Sequence, residues 1–431
     1  MPTERLLVIG GDAGGMAAAS QARRRRGPDS LEIVALEKGR WTSYSACGIP
    51  YLIGGEVEGL ETLVARSPQE FRDGHRIDVR MRTEAMAIDT AAQRVEVRDH
   101  EHGRTYEIDY DQLHLGLGAV PIRPDLPGID GPTVHGVQNL EDAARLLEAA
   151  TRPGQRPERV VVVGGGYIGL EMAEAFLHRG AKVTIVTATP QPMSTLDDDF
   201  GALVADAMRV EGIEVHCNER VDAFETGAVH TTSGETLEAD LVILGMGVAP
   251  NSKLAADAGM PTGHRGAIRV DRRQRVRDTP NVWSAGDCCE SFHRVTGEFV
   301  HVALGTVANK QGRVAGINLG GGYATFPGVI GTAVTKLCSV EVGRTGVTEA
   351  EATAAGFEYV AVTIDSTTRA GYYPGAQPIK IKLLAEKRSG RVLGAQIIGN
   401  EGAAKRIDVI ATALTARMTV EDMTALDLSY A

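Results

Sequence analysis

The chain has 431 residues, with 45 lysines and arginines against 56 aspartates and glutamates, a formal charge of −11. That balance excludes a nucleic-acid role for the surface as a whole, and with 43% hydrophobic residues the length suits two or three domains with substantial cores. No apolar run approaches the ~18 residues of a membrane span, and five cysteines (47, 217, 288, 289 and 338) without framework spacing fit a reducing compartment. No charged leader or cleavage site precedes the first apolar run, so a cytoplasmic location without a membrane partner is expected.

In chain order, Leu6-Leu7-Val8-Ile9 is a short continuous apolar run, as expected of a parallel strand buried on both faces. It enters Gly10-Gly11-Asp12-Ala13-Gly14-Gly15, a helix predicted over 16–26 and a second strand over 31–36. Glycines at the outer positions, Gly10 and Gly15, let backbone approach a pyrophosphate at a helix N-terminus. Asp12 stands where a middle glycine is expected, adding a side chain and a negative charge. Glu37, beside Lys38, ends the second strand and suits a ribose diol. The run Arg23-Arg24-Arg25-Arg26 reads as a solvated helix end, where cations suit the dipole.

Cys47 follows in Ser43-Tyr44-Ser45-Ala46-Cys47-Gly48-Ile49-Pro50, with no second cysteine within a turn of it. The Gly-Ile-Pro sequel places it at a predicted helix start, where backbone N–H groups lower a thiol pKa. Polar alternation then predicts β structure over 79–108, a buried strand over 113–119 and a linker over 151–157.

A second strand–glycine loop–helix unit begins at Arg159, with the loop Gly164-Gly165-Gly166-Tyr167-Ile168-Gly169, a helix over 170–179 and a strand over 182–186. That strand ends in Thr187-Ala188-Thr189, with neither the acid that favours NADH nor the arginine that favours NADPH. From 250 the chain returns toward the first unit through Trp283-Ser284-Ala285-Gly286-Asp287. An α+β segment from 326 has strands predicted over 359–364, 379–384 and 391–398 and helices over 403–417 and 420–426. The expected fold is α/β: two doubly wound nucleotide-binding domains and a terminal α+β domain. Their divisions are 1–112 with 250–325, 113–249, and 326–431. The buried-looking Cys217 and Cys338 read as core, Cys288-Cys289 as a vicinal pair without redox role, and the histidines show no ligand spacing, so no metal is expected.

Over essentially its whole length the chain resembles the pyridine nucleotide-disulfide oxidoreductases. The resemblance implies FAD in the first fold, NADH or NADPH in the second, and a C-terminal dimerisation domain. It implies cofactor contacts at Gly10, Gly15, Glu37, Lys38, Asp287, Ala303 and Thr306 for FAD, and at Gly164, Gly166, Tyr167, Ile168, Gly169 and Glu171 for the nicotinamide, with Tyr167 as a gate. The lone cysteine resembles the branch of coenzyme A-disulfide reductases, NADH oxidases and NADH peroxidases. Peroxidases and many oxidases carry a histidine in the first glycine loop; this chain has Ala13. Gln21, Arg24, Ser43 and Lys405 resemble coenzyme A contacts, although the family's asparagine before the cysteine is Ala46 here. Tyr372 or Tyr373, and Tyr430, resemble tyrosines that reach a partner's cysteine in a homodimer. The function this implies is NAD(P)H reduction of a small disulfide, coenzyme A disulfide or persulfide, through Cys47. An NADH oxidase cycling through a cysteine sulfenate and a low-turnover flavoprotein sensor are the alternatives.

Overall fold

The computed structural model describes residues 3–152, 154 and 156–429. The first unit is a parallel sheet in the order Val282–Ser284, Gln112–Leu115, β1 (Glu4–Ile9), β2 (Leu31–Leu36) and β3 (Asp78–Arg80). Its apolar strands are buried throughout: Leu6, Leu7 and Val8 have no exposure, because helices or other structure cover both faces. The strand Gln112–Leu115, through which the expected boundary at 113 passes, belongs to this sheet. Return of the chain to the first unit is sealed by the helix Gly305–Leu319, which packs along α1 (Ala13–Arg23). A Cβ on Gly312 or Gly316 would collide with the Gly14 or Ala18 carbonyl of α1, so this glycine pair sets how closely the helices approach.

The second unit repeats the plan: Glu214–Cys217, Lys182–Thr187, Arg159–Val163, Leu241–Leu244 and Val134–Gly136, again all parallel. Both glycine-loop helices begin three residues before their predicted starts, α1 at Ala13 and the second at Tyr167, because the loop's last residues already form the first turn. The 79–108 stretch forms β3 and then most of a separate antiparallel sheet, Thr83–Asp89, Arg94–Asp99 and Arg104–Asp109.

The third unit is an antiparallel sheet ordered Ala333–Leu337, Val340–Gly346, Val392–Gly399, Pro378–Glu386 and Tyr359–Thr367. Ile407, Ile410, Ala413 and Leu414 of the helix Ile407–Ala416 bury one stripe in its core. Along the edge strand, Val360, Val362 and Ile364 share one face and stay about half exposed, an apolar row with period 2. Lys382 ties this sheet to the second unit: it is 4% exposed and reaches Asp199 at 2.6 Å, Glu349 at 2.8 Å and Asp197 at 3.2 Å. Three carboxylates around one buried ammonium hold its pKa above the ordinary lysine value.

Two cysteine expectations change. Cys338 is not core: it sits in the turn between Ala333–Leu337 and Val340–Gly346 with φ 51°, half-buried. Cys217 ends its strand, also half-buried. The vicinal pair is fully enclosed, and burial pushes both thiols up, as suits inert packing.

Candidate active site

Both glycine loops open on one cleft of about 2210 Å³. At the first loop Gly10 has φ 106°, and a Cβ there would overlap the Gly116 carbonyl; one on Gly15 would overlap the Gly10 carbonyl. The turn is therefore backbone packed on backbone, leaving the start of α1 open to a ligand. Glu37 accepts from Gly11 N at 2.8 Å and Gly39 N at 2.7 Å, which orients its carboxylate beside the loop. Asp12 makes no helix cap; its Oδ1 accepts from Tyr44 N at 3.3 Å. The Thr42 hydroxyl and Ser43 N, the latter at 3.0 Å, donate to Gly11 O. The segment leading to Cys47 thus hangs from the glycine loop.

Cys47 lies in a single 3-10 turn, Ala46–Gly48, followed by the six-residue α2 (Ile49–Gly54) with Pro50 in its first turn. The residue is exposed on the cleft wall. Its thiol pKa is raised rather than lowered: neighbouring groups desolvate the sulfur, and the Glu171 carboxylate adds to the effect. The sequence expectation fails because α2 is short and begins two residues later, while the nearest strong charge is negative and comes from the helix Tyr167–His178. Glu171 accepts from the Thr335 hydroxyl at 3.2 Å and is itself pushed up by burial.

Lys38, Ala303 and Thr306 line the same cleft. Asp287, past the strand Val282–Ser284, does so with a buried Oδ1 that has no partner among the described residues, and burial raises its pKa to about 6. Such an orphaned acceptor fits a ligand rich in hydroxyl groups. Gln311, which sequence reading does not single out, holds this turn, accepting from Gly286 N at 2.9 Å. In the second loop Gly164 has φ 112° and its missing Cβ makes room for the Gly245 carbonyl. Gly166, Tyr167, Ile168 and Glu171 line the cleft, and Gly169 packs behind, against Gly164 O.

The remaining candidates are dispersed. Lys405 lines the cleft and reaches Asp408 at 2.6 Å. Gln21 and Arg24, joined at 3.3 Å, lie at the far end of α1, and neither they nor Ser43, Tyr372 or Tyr373 line the cleft in one chain. Tyr372 is 75% exposed and Tyr373 40%. Tyr430 lies outside the described residues. Of the arginine run, Arg23 donates to four carbonyls and Arg26 pairs with Glu4, so these two are structural rather than solvated. Among the described residues Glu174, His178 and Cys338 stand close enough to share a metal, but the Lys336 ammonium already donates to Glu174.

Two dinucleotide cradles on one cleft with a solitary exposed thiol define a nicotinamide- and flavin-dependent oxidoreductase. Residues 4–312 match the family described as pyridine nucleotide-disulphide oxidoreductase, and residues 332–430 match its dimerisation domain. The chain belongs to this family, which implies FAD and NAD(P)H as cofactors and points to a homodimer. It is 37% identical to an NAD(P)H sulfur oxidoreductase (CoA-dependent) of Pyrococcus abyssi, covering 99% of this chain and 94% of that protein. Identity to a coenzyme A disulfide reductase of Staphylococcus epidermidis is 31%, over 99% of this chain and 95% of that one. The crystal structure of reduced Bacillus anthracis CoADR-RHD superposes with a TM-score of 0.96 at 34% identity, covering 100% of this chain and 77% of that chain. No helix among the described residues is long and apolar enough to cross a membrane.

The residues present fit FAD: a glycine cradle, the Glu37 carboxylate and the orphaned Asp287 oxygen. Asp12 makes that fit pH-dependent. Burial raises its pKa to about 6, with Glu37 and Asp287 contributing, and a pyrophosphate bound at the glycine loop would further disfavour its ionised form. Above about pH 6 binding must therefore take up a proton, and FAD affinity should fall as pH rises, by at most about tenfold per unit from this group. Asp12→Asn should remove that fall. Fluorescence titration of the apoprotein with FAD between pH 5.5 and 8 tests this, and equal slopes in the two proteins would exclude Asp12.

Proposed function

We propose that the chain reduces coenzyme A disulfide, or a related coenzyme A persulfide, with NAD(P)H, through Cys47 resting as a mixed disulfide with coenzyme A. The observation that carries this reading is Cys47 itself, exposed on the cleft that both glycine loops share and without a cysteine partner. FAD, when bound, passes the two electrons of a nicotinamide hydride on to sulfur. Two electrons and a proton split the resting disulfide into the Cys47 thiolate and one coenzyme A thiol. The thiolate then attacks the next coenzyme A disulfide, restoring the mixed disulfide and expelling a coenzyme A thiolate that takes up a proton. In sum, one NAD(P)H and one proton convert one disulfide into two thiols.

Lys405, which lines the same cleft, would meet a phosphate, and Gln21 with Arg24 would meet the nucleotide end where the coenzyme leaves the cleft along α1. Ser43, whose amide is fixed on Gly11, would contact it nearer the sulfur. In a homodimer the apolar row Val360, Val362 and Ile364 would be covered, and Tyr372 or Tyr373 with Tyr430 of the partner subunit would donate to the leaving thiolate. The divisions 1–112 with 250–325, 113–249 and 326–431, with the strand Gln112–Leu115 kept whole in the first, would assign FAD, NAD(P)H and dimer contacts respectively, in a cytoplasmic enzyme. Ala13, where peroxide-handling relatives carry a histidine, disfavours the oxidase alternative.

The test is the intact mass of the protein as purified, before and after reduction. One coenzyme A on Cys47, released by reductant, is the expected result. A Cys47 carrying only oxygen would overturn the proposal in favour of a sulfenate oxidase.

A further inference from the structure

We propose that Arg220 equips the second glycine-loop site to hold a 2′-phosphorylated dinucleotide, so that the chain uses NADPH about as well as NADH. This rests on the nicotinamide-donor reading above and concerns only the corner where the adenosine ribose would lie. In such units the residue closing the second strand faces the ribose 2′ position, where a carboxylate binds the free diol and repels a phosphate.

Here the strand Lys182–Thr187 closes on a hydroxyl. Thr187 and Thr189 pair at 2.8 Å, and Thr189 donates to Gln191 O at 2.6 Å, leaving a small, neutral strand end. The neighbouring parallel strand, Glu214–Cys217, then delivers its exit residues to the same place. Asn218 N donates to Thr189 O at 2.9 Å and Glu219 N to Thr187 O at 3.0 Å. Glu219 and Arg220 therefore stand beside the strand end, and both line the cleft.

Their side chains differ in freedom. Glu219 Oε1 accepts from the Thr232 hydroxyl at 2.9 Å, Ser233 N at 3.2 Å and Arg220 N at 3.1 Å, which turns the carboxylate toward the 231–233 turn. The Arg220 guanidinium is exposed and ion-pairs with no carboxylate among the described residues. A planar fork of donors is the group that best matches a phosphate monoester, and it leaves a neutral diol acceptable. Asp222 is the other acid on this part of the cleft, two residues beyond Arg220 and farther from Thr187 in the chain path. With two acids and one free arginine nearby, the site is suited to both dinucleotides rather than to NADPH alone.

Anaerobic reduction of the flavin in the holoenzyme, with any coenzyme A first released from Cys47 by a thiol and removed, followed by absorbance with NADPH and with NADH as separate donors, reads this site without disulfide turnover. Wild-type efficiencies for the two donors should agree within about tenfold. Arg220→Ala should lower the NADPH efficiency by about tenfold or more and leave NADH within about twofold; Arg220→Glu should widen the gap, and Asp222→Asn, which removes one of the two acids, should shift the ratio toward NADPH. A wild-type preference for NADH beyond about tenfold, or an Arg220→Ala loss equal for both donors, would overturn the assignment. Failure of both donors to reduce the flavin would instead refute the nicotinamide-donor reading, so the two failures are distinguishable.

Discussion

Cys47→Ser should lose disulfide turnover by about a thousandfold or more while NAD(P)H still reduces the flavin. No other thiol can substitute. Cys288 and Cys289 are fully buried, Cys217 ends a strand of the second unit, and Cys338 occupies a turn of the third; none of the four lines the cleft. A serine hydroxyl neither ionises near neutral pH nor forms the mixed disulfide, so the chemistry stops rather than slows. The substitution removes one exposed sulfur and leaves the Thr42, Ser43 and Tyr44 bonds to the glycine loop intact. Stability should therefore stay within about 0.5 kcal/mol. Steady-state turnover with coenzyme A disulfide, beside anaerobic flavin reduction, separates the two half-reactions; retained disulfide turnover would end the case for Cys47. The raised thiol adds a direction. The thiolate fraction grows as pH rises toward that pKa, so thiolate-limited turnover should climb through the neutral range. Glu171→Gln, which removes the facing negative charge, should move the climb to lower pH.

That pKa also marks where sequence reading reached its limit. The glycine loops were legible because strand, turn and helix are adjacent in the chain, and an outer glycine needs no partner to be recognised. The environment of Cys47 was not, because Glu171 arrives from a different domain and its hydrogen-bond donor, Thr335, from a third. The return of 282–284 to the first sheet was readable from its likeness to a known motif, whereas the physical cause, Gly312 and Gly316 against α1, appears only when two helices meet. The strands Ala333–Leu337 and Val340–Gly346 went unread. Charged Lys336, Glu341 and Arg344 interrupt their apolar pattern, and each is satisfied by a distant partner: Glu174, Ala404 N and Glu351 respectively. The coenzyme contacts inferred from resemblance remain spread between the far end of α1, the cleft lining and exposed tyrosines, and one chain does not gather them.

Gly10→Ala and Gly164→Ala should separate the two cradles. Both glycines hold φ above 100°, a region closed to alanine, and at both a Cβ would overlap a carbonyl of the adjoining strand's exit, Gly116 O for Gly10 and Gly245 O for Gly164. The loop cannot yield easily, because Gly10 N donates to Leu36 O at 2.9 Å and Gly164 N to Val186 O at 2.8 Å, fixing each turn between two strands. Strain plus displacement should cost about 2–4 kcal/mol at either site, but the functional losses differ because each distortion stays within its own sheet. Gly10→Ala should be purified with little or no FAD and a lowered melting temperature. Gly164→Ala should retain FAD near stoichiometry yet lose about a hundredfold or more in flavin reduction by either nicotinamide, since the missing geometry is that of the pyrophosphate cradle. Gly27→Ala, where nothing lies within 4 Å of the added methyl, serves as the control and should change neither property. Flavin-to-protein absorbance ratios and stopped-flow reduction give both readouts. Full FAD occupancy in Gly10→Ala, or its loss in Gly164→Ala, would mean that the cofactors have been assigned to the wrong loops, and the path of electrons toward Cys47 would have to run in the opposite direction across the cleft.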